Sequence, residues 1–148
     1  MPITATRRLE WDALHRVPGH EGKCRAFHGH RYVAELTCSA AALDSVGRII
    51  DFGVLKSVVG GWIDERWDHT AMLMEGDEDP AARQIAASNA GHGRPAYLMK
   101  APPTAENIAA ELATQAQQLL GHSGITVVSV RIWETPNSFA TWTKAGPA

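Results

Sequence analysis

The segment of residues 31–40, RYVAELTCSA, alternates between two sets of side chains, and this period limits the folds open to the chain. One set is mostly apolar and comprises Tyr32, Ala34, Leu36 and Cys38. The other set is mixed and comprises Val33, Glu35 and Thr37. A period of two residues indicates a β-strand with one buried face. Such a strand has to pair with similar strands under a covering layer, so the chain is expected to build a sheet with helices against it.

Three further segments are predicted to be strands: residues 3–14, 125–134 and 138–144. The last two are joined by the turn signal Pro136-Asn137. Residues 97–100, YLMK, are predicted to form only a brief extended piece.

Two helices are predicted between the strands. The first has Asp51 as its N-cap and repeats apolar residues at helical spacing up to about Trp67, although the Gly60-Gly61 pair weakens it. The second has Thr104 as its N-cap and Gly121 as its C-terminal stop. The polar residues 76–95 between them are expected to form an exposed connection with room for one short helix.

The order strand, strand, helix, helix, strand, strand predicts an α+β fold. Its sheet is expected to have four mostly antiparallel strands, with the two helices on one face. A length of 148 residues is typical of one domain, which we expect to span residues 1–148.

Composition narrows the classes of function. A net charge of −2 gives no overall field toward nucleic acid or an anionic membrane. No apolar run approaches the roughly 20 residues of a membrane helix, and the first residues lack the apolar stretch of a secretory signal. With only two cysteines, a disulfide scaffold is not indicated. We therefore expect a cytoplasmic protein with no nucleic acid or membrane partner.

Three histidines are candidates for a metal site. His28 and His30 are two residues apart, so on a strand their side chains share one face. His15, at the end of the first strand, meets them if the two strands form a hairpin. Three imidazoles leave the fourth position of a zinc ion open, as in a catalytic site. The alternatives are a chance H-x-H pair and a purely structural metal site.

Cys24 lies four residues before His28, beside Lys23 and Arg25. A metal ion and these cations would favour its thiolate form, which can act as a base or nucleophile. An inert buried thiol is the better interpretation of Cys38, in the middle of a strand.

The segment from His15 to Arg31 is rich in positive charge. Its cations are Arg16, Lys23, Arg25 and Arg31, and its only carboxylate is Glu21. This pattern suggests an anionic substrate, although a solvated loop looks the same. No role is predicted for His20, His92 or His122.

Asp68 and His69 follow the first helix, and an aspartate beside an imidazole suits proton transfer. Glu134 lies where a strand ends, and its carboxylate can accept two parallel N–H bonds from a guanidine-like edge. A surface glutamate would give the same pattern. Glu106 is also explained by its place in the first turn of a helix.

Six blocks in a fixed order resemble the family of 6-pyruvoyl-tetrahydropterin synthase and 6-carboxy-tetrahydropterin synthase, over nearly the whole chain. They are ALHR around His15, CRAFHGH from Cys24 to His30, IIDFGVLK from Ile49, WDH ending at His69, PTAEN around Thr104 and WETP from Trp133.

The resemblance implies the tunnelling fold (T-fold), in which subunits join their sheets into a barrel and active sites lie between subunits. A homo-oligomer is then expected, a hexamer or alternatively a tetramer. It also implies roles for residues: zinc ligands His15, His28 and His30; proton-transfer groups Cys24, Asp68 and His69; the pterin anchor Glu134; and pocket residues Thr104 and Glu106.

The activity implied is zinc-dependent conversion of 7,8-dihydroneopterin triphosphate. Three residues separate Cys24 from His28, a short spacing that resembles the carboxy-type bacterial enzymes. These release acetaldehyde and triphosphate on the route to queuosine. Two alternatives stay open, namely the pyruvoyl-type reaction without carbon–carbon cleavage and a non-catalytic paralogue that binds zinc or a pterin.

Overall fold

A computed structural model of the chain describes residues 3–146. Its six strands form one sheet in the order β4-β3-β1-β2-β5-β6. The strands are β1 (Ala5–His15), β2 (His28–Ala40), β3 (Thr70–Met74), β4 (Tyr97–Met99), β5 (Ile125–Thr135) and β6 (Ser138–Thr143). The four long strands pair in antiparallel fashion, whereas β1–β3 and β3–β4 are parallel.

The predicted hairpin of the first two long strands is confirmed. Cys38 pairs with Ala5 at one end of β1, and His28 pairs with His15 at the other. The alternation read at residues 31–40 holds: Tyr32, Ala34, Leu36 and Cys38 are all buried in the main core. Because the period is two, His28 and His30 project from this same face beyond the end of the core.

Helices cover that face. A continuous helical segment comprises α1 (Phe52–Leu55), a π-helical turn over Lys56–Gly60 and α2 (Gly61–Arg66), and the long helix α4 runs over Ala105–Leu120. Both predicted N-caps are confirmed, because the side chain of Asp51 accepts from Gly53 N and that of Thr104 from Asn107 N. As predicted, α4 stops at Gly121, which is its C-cap, and the chain then turns at Gly124 (φ 73°) after a short 3₁₀ turn.

The sheet of four strands was also wrong, because β3 and β4 extend it to six. All but the last residue of β3 is buried, and its side chains contribute to both faces: Met72 joins the main core, while Ala71 and Leu73 form a second cluster. A strand covered on both faces shows no alternation, which is why the sequence did not reveal it.

Helix α3 (Pro80–Gly91) packs on the reverse face of the sheet, where Ala82 joins the second apolar cluster. The connection was expected to have room for one short helix, and it contains a helix of 12 residues, which adds a third helix to the two predicted on the other face. Within residues 3–146, no helix is long and apolar enough to cross a membrane.

Candidate functional site

The three predicted ligand histidines converge at one end of the β1–β2 hairpin. Their ring centroids lie 4.6 Å (His15–His28), 5.0 Å (His15–His30) and 4.9 Å (His28–His30) apart. One nitrogen from each ring lies within 4.8 Å of the others. The hairpin register produces this cluster, since His15 pairs directly with His28 and His30 is on the same face.

Backbone carbonyls fix the orientation of two of the rings. Nδ1 of His15 lies 2.8 Å from the Pro103 carbonyl oxygen, and Nδ1 of His28 lies 2.7 Å from that of Ala26. A carbonyl only accepts, so each Nδ1 has to carry the proton. Both Nε2 atoms are then left with a lone pair, the form in which imidazole binds a metal.

Burial favours the neutral form of two of these ligands. The pKa of His15 is lowered to about 4, mainly by burial and also by the nearby His28 and His30, against the hydrogen bond to Pro103. Burial also lowers the pKa of His30, with His28 as the second cause. At neutral pH the rings of His15 and His30 therefore offer lone pairs without first releasing a proton.

The donor set fits a metal ion. The Nε2 atoms of His15 and His28 are 3.1 Å apart, near the about 3.3 Å between two ligands on a tetrahedral zinc ion. Nε2 of His30 is buried and has no hydrogen-bond partner among the described residues. Three converging nitrogen donors, one of them buried and unpartnered among the described residues, make this cluster compatible with a metal site.

A cavity of about 230 Å³ opens beside the histidines. It is lined by most of the predicted site residues, which are His15, Cys24, Thr104, Glu106 and Glu134. Cys24 reaches it from a short 3₁₀ turn over Lys23–Arg25, while Thr104 and Glu106 come from the start of α4 and Glu134 from the end of β5. The fold thus brings a thiol, two carboxylates and a hydroxyl to one space.

Glu134 occupies a partly desolvated position in this cavity. Burial raises its pKa, and the nearby charge of Glu106 acts in the same direction, whereas His28 and the Ala105 N–H lower it. Its Oε2 is also 3.9 Å from Nε2 of His30. The Glu134 carboxylate therefore can accept further hydrogen bonds close to the candidate metal ligands.

His20 also lines the cavity, although no role was predicted for it. Its Nδ1 accepts from the backbone N–H of Gly22 at 2.8 Å, which leaves Nε2 to carry a proton in the neutral ring. No spacing rule could have found this residue, because the loop conformation alone decides where its ring lies.

Asp68 and His69 form a pair outside this cavity. Asp68 Oδ2 lies 2.9 Å from His69 Nδ1, and Asp68 Oδ1 accepts from Asp12 N at 3.0 Å. Burial would raise the pKa of Asp68, but the Asp12 N–H and His69 bring it below its usual value. The carboxylate therefore stays ionised and holds the imidazole by Nδ1.

Among residues 3–146, His69 is the one residue other than glycine that has a positive φ, at 59°. Its N–H is held by the Asp12 carbonyl at 2.7 Å, and 70% of its side chain is exposed. It lines a separate depression that also includes His30. A strained, oriented and exposed imidazole is typical of a functional residue, although His69 does not line the cavity that holds Cys24.

The predicted cationic cluster is only partly available to an anion. Arg16 pairs with Asp77, and Arg31 pairs with Glu10 and Asp12 on the reverse face of the sheet. Of the four cations, Lys23 and Arg25 form no ion pair within residues 3–146, so they carry the uncompensated charge.

Known proteins resemble this chain over nearly its whole length. The family described as 6-pyruvoyl tetrahydropterin synthase matches residues 4–145. A protein of Rickettsia bellii named 6-carboxy-5,6,7,8-tetrahydropterin synthase is 41% identical over 139 residues, covering 93% of this chain and 97% of the relative. A protein of the same name from Haemophilus influenzae is 29% identical over 140 residues, covering 93% and 96%.

Solved structures share the fold. An uncharacterised protein from Wolinella succinogenes superposes with a TM-score of 0.82 at 21% identity, covering 97% of this chain and 98% of that chain. The 6-pyruvoyl tetrahydropterin synthase of Caenorhabditis elegans gives a TM-score of 0.68 at 22% identity, covering 98% of each chain. At these identities the likeness concerns the α+β architecture.

Proposed function

The chain belongs to the 6-pyruvoyl tetrahydropterin synthase family, and we propose that it acts as a 6-carboxy-5,6,7,8-tetrahydropterin synthase. The reaction converts 7,8-dihydroneopterin triphosphate and one water molecule to 6-carboxytetrahydropterin, acetaldehyde and triphosphate. The observation that carries the proposal is a cluster of three imidazoles, of which His15 shares one cavity with a thiol and a carboxylate. The names of the relatives at 41% identity favour the carboxy-type product.

His15, His28 and His30 are proposed to hold Zn²⁺ through their ring nitrogens. Bound there, zinc would act as a Lewis acid on the side-chain oxygens of the substrate. The carbonyls of Pro103 and Ala26 support this role by keeping the protons of His15 and His28 on Nδ1.

Cys24 is proposed as the base that removes a proton from the substrate side chain. It shares the cavity with His15, so a substrate held beside the histidines lies within reach of the thiol. Glu134 is proposed to anchor the pterin by accepting two N–H bonds from its guanidine-like edge. Thr104 and Glu106, at the start of α4, are proposed to complete the wall around the ring.

Asp68 and His69 are proposed to serve the cavity of a second copy of the chain. Both are fixed by Asp12, and the exposed His69 ring lines a different depression from the cavity of Cys24. Within residues 3–146, the stretch of β1 before Ala13 has no strand partner on its β3 side, and β6 is an edge strand. Such edges can join into the barrel expected of a homo-oligomer, which we propose is a hexamer.

The triphosphate is proposed to meet Lys23 and Arg25. These residues flank Cys24 on an exposed turn and carry charge that no carboxylate of the described chain neutralises. Arg16 and Arg31 are excluded from this role because their guanidinium groups are already paired.

The test is to incubate zinc-loaded protein with dihydroneopterin triphosphate and to assay acetaldehyde and the pterin product together. Stoichiometric acetaldehyde is expected, and the zinc-depleted protein should give none. A pyruvoyl pterin without acetaldehyde would contradict the carboxy-type reaction. Zinc bound without turnover of this substrate would instead identify a non-catalytic paralogue.

A further inference from the structure

A shielded ion pair joins the end of β1 to the connection after β3. Nε of Arg16 donates to Oδ2 of Asp77 at 2.8 Å, and Nη2 donates to Oδ1 at 2.7 Å. The side chains are only 13% and 2% exposed. We propose that Arg16 and Asp77 are positioning residues that hold the Cys24 turn against the histidine cluster; the catalytic consequence rests on the proposed function above.

The third arm of the guanidinium group reaches the Cys24 turn. Nη1 of Arg16 donates to the carbonyl oxygen of Arg25 at 2.7 Å. The next residue of the chain makes a similar contact, because the N–H of Val17 donates to the Cys24 carbonyl at 2.8 Å. The two residues that follow His15 therefore donate hydrogen bonds to two successive carbonyls, those of Arg25 and Cys24.

The following carbonyl, that of Ala26, contacts the histidine cluster. Ala26 O accepts from His28 Nδ1 at 2.7 Å and so sets which nitrogen of His28 carries the proton. The carbonyls of three successive residues, Cys24–Ala26, therefore accept hydrogen bonds from Val17, Arg16 and the candidate ligand His28. A displacement of the Arg25 carbonyl would move both the Cys24 side chain and the carbonyl that orients His28.

Apart from hydrogen bonds within the loop, such as Arg25 N–H to Gly22 O, the hydrogen bonds to this turn among the described residues come from Arg16 and Val17. None of its residues, Lys23–Arg25, is buried, and the loop before it contains Pro18, Gly19 with φ 81° and Gly22. An exposed loop without apolar anchors samples many conformations unless polar contacts hold it. The contacts from Arg16 and Val17 supply that restraint.

Asp77 is itself fixed in place. Its Oδ1 also accepts from Asp79 N at 3.0 Å, and its N–H donates to the Met74 carbonyl at the end of β3 at 3.2 Å. Asp79 in turn caps α3 by accepting from Ala81 N. The connection that the sequence left without a role therefore provides a rigid support for the Cys24 turn.

Only arginine can make all three contacts at once. A planar guanidinium group binds both oxygens of a carboxylate and still has a donor for a carbonyl, whereas a lysine ammonium group is a single point of charge. The hydrogen bonds from Arg16 also hold the pKa of Asp77 below its usual value, so the carboxylate stays charged.

The test uses Asp77→Asn and the milder Arg16→Lys, with Asp44→Asn as the matched control. Asp44 also accepts a hydrogen bond from an arginine, Arg48. This pair lies in an exposed loop, and neither residue lines the cavity. Each protein is assayed for zinc content, for kcat and KM, and for the rate at which iodoacetamide alkylates Cys24. The buried Cys38, whose pKa is raised to about 11 by burial, does not compete for the reagent.

Asp77→Asn and Arg16→Lys are expected to raise the alkylation rate of Cys24 at least about threefold and to lower kcat about tenfold, with zinc content and KM retained. The control should leave all four quantities unchanged. Lower thermal stability with an unchanged alkylation rate and an unchanged kcat would overturn the proposal, because the ion pair would then contribute to stability alone. If the unsubstituted protein turns over no pterin, the proposed function fails, while the alkylation rates still decide whether the turn is positioned by Arg16.

Discussion

The Nε2 atoms of His15 and His28 face each other at 3.1 Å, and each Nδ1 is committed as a donor to a backbone carbonyl. Two lone pairs at this distance repel each other, and a shared cation or a proton relieves the repulsion. The hairpin thus holds an unfavourable contact that a bound metal ion would convert into a favourable one. The metal and pH dependence that we expect of this protein follow from that relationship.

The metal-free protein is expected to lose stability as the pH falls from about 6.5 to about 4. Burial lowers the pKa of His15 to about 4, while an unfolded chain has the usual value near 6.5. In this window the unfolded state binds more protons, so the free energy of unfolding rises with pH. His15 alone accounts for a change of about 3 kcal/mol, measured by urea unfolding at pH 7 and at pH 4.

His15→Gln should flatten that pH dependence, whereas His122→Gln, at an exposed position after α4, should leave it intact. An equal slope in the His15 variant would show that other groups cause the acid instability.

His28→Gln is expected to weaken zinc binding by more than about 100-fold, since losing a ligand costs more than losing an outer-shell partner. The variant should stay folded, because His28 lies beyond the apolar core. Competition with a chromogenic chelator measures the affinity, and His92→Gln is the control on an exposed turn. Unfolding of the zinc-free protein would instead favour a structural metal site.

Cys24→Ala is expected to abolish turnover and to leave zinc content unchanged, because the thiol lines the cavity but is not needed as a ligand. Cys38→Ala, in the core, should retain kcat and only lower the melting temperature. Normal turnover by the Cys24 variant would exclude this thiol as the base.

Glu134→Gln is expected to raise KM by about tenfold or more with a smaller change in kcat, because an amide offers only one acceptor oxygen to the pterin edge. Glu35→Gln is the matched control: its side chain is 28% exposed, as is that of Glu134, but it lies on the reverse face of the sheet. An unchanged KM for Glu134→Gln, measured with the same substrate, would remove this residue from the pterin site.

Mixing two inactive variants tests whether sites lie between subunits. Chains carrying Cys24→Ala and chains carrying His69→Ala are unfolded together, refolded at equal amounts and assayed. If each site takes its thiol and its imidazole from different chains, random mixing restores about a quarter of the activity. Zero recovery from mixed oligomers would contradict a shared site.

Much of the fold could be read from the sequence where a local rule has a clear period or cap. The strand at residues 31–40, the hairpin with β1, and the N-caps Asp51 and Thr104 were all predicted and are confirmed. β3 was missed because it is covered on both faces, and α3 was underestimated because its polar, small-residue sequence has a weak apolar stripe.

Local patterns in the sequence were enough to single out the residues that could carry chemistry. A period of two places His28 and His30 on one face by strand geometry alone. The set is completed by His15 if the first two strands form a hairpin, and the structure shows this pairing. Spacing could not say whether these rings are neutral, because that depends on burial and on the carbonyls of Pro103 and Ala26.

The arrangement of the remaining groups depends on tertiary packing. It brings Glu134, at the end of β5, to one cavity with Cys24 and His20 of the loop after β1, and it turns His69 away toward solvent. It also removes Arg16 from the candidate anion site by pairing it with Asp77, which lies 61 residues further along the chain. Contacts across such distances depend on how the sheet and loops pack, and no local pattern of residues encodes them.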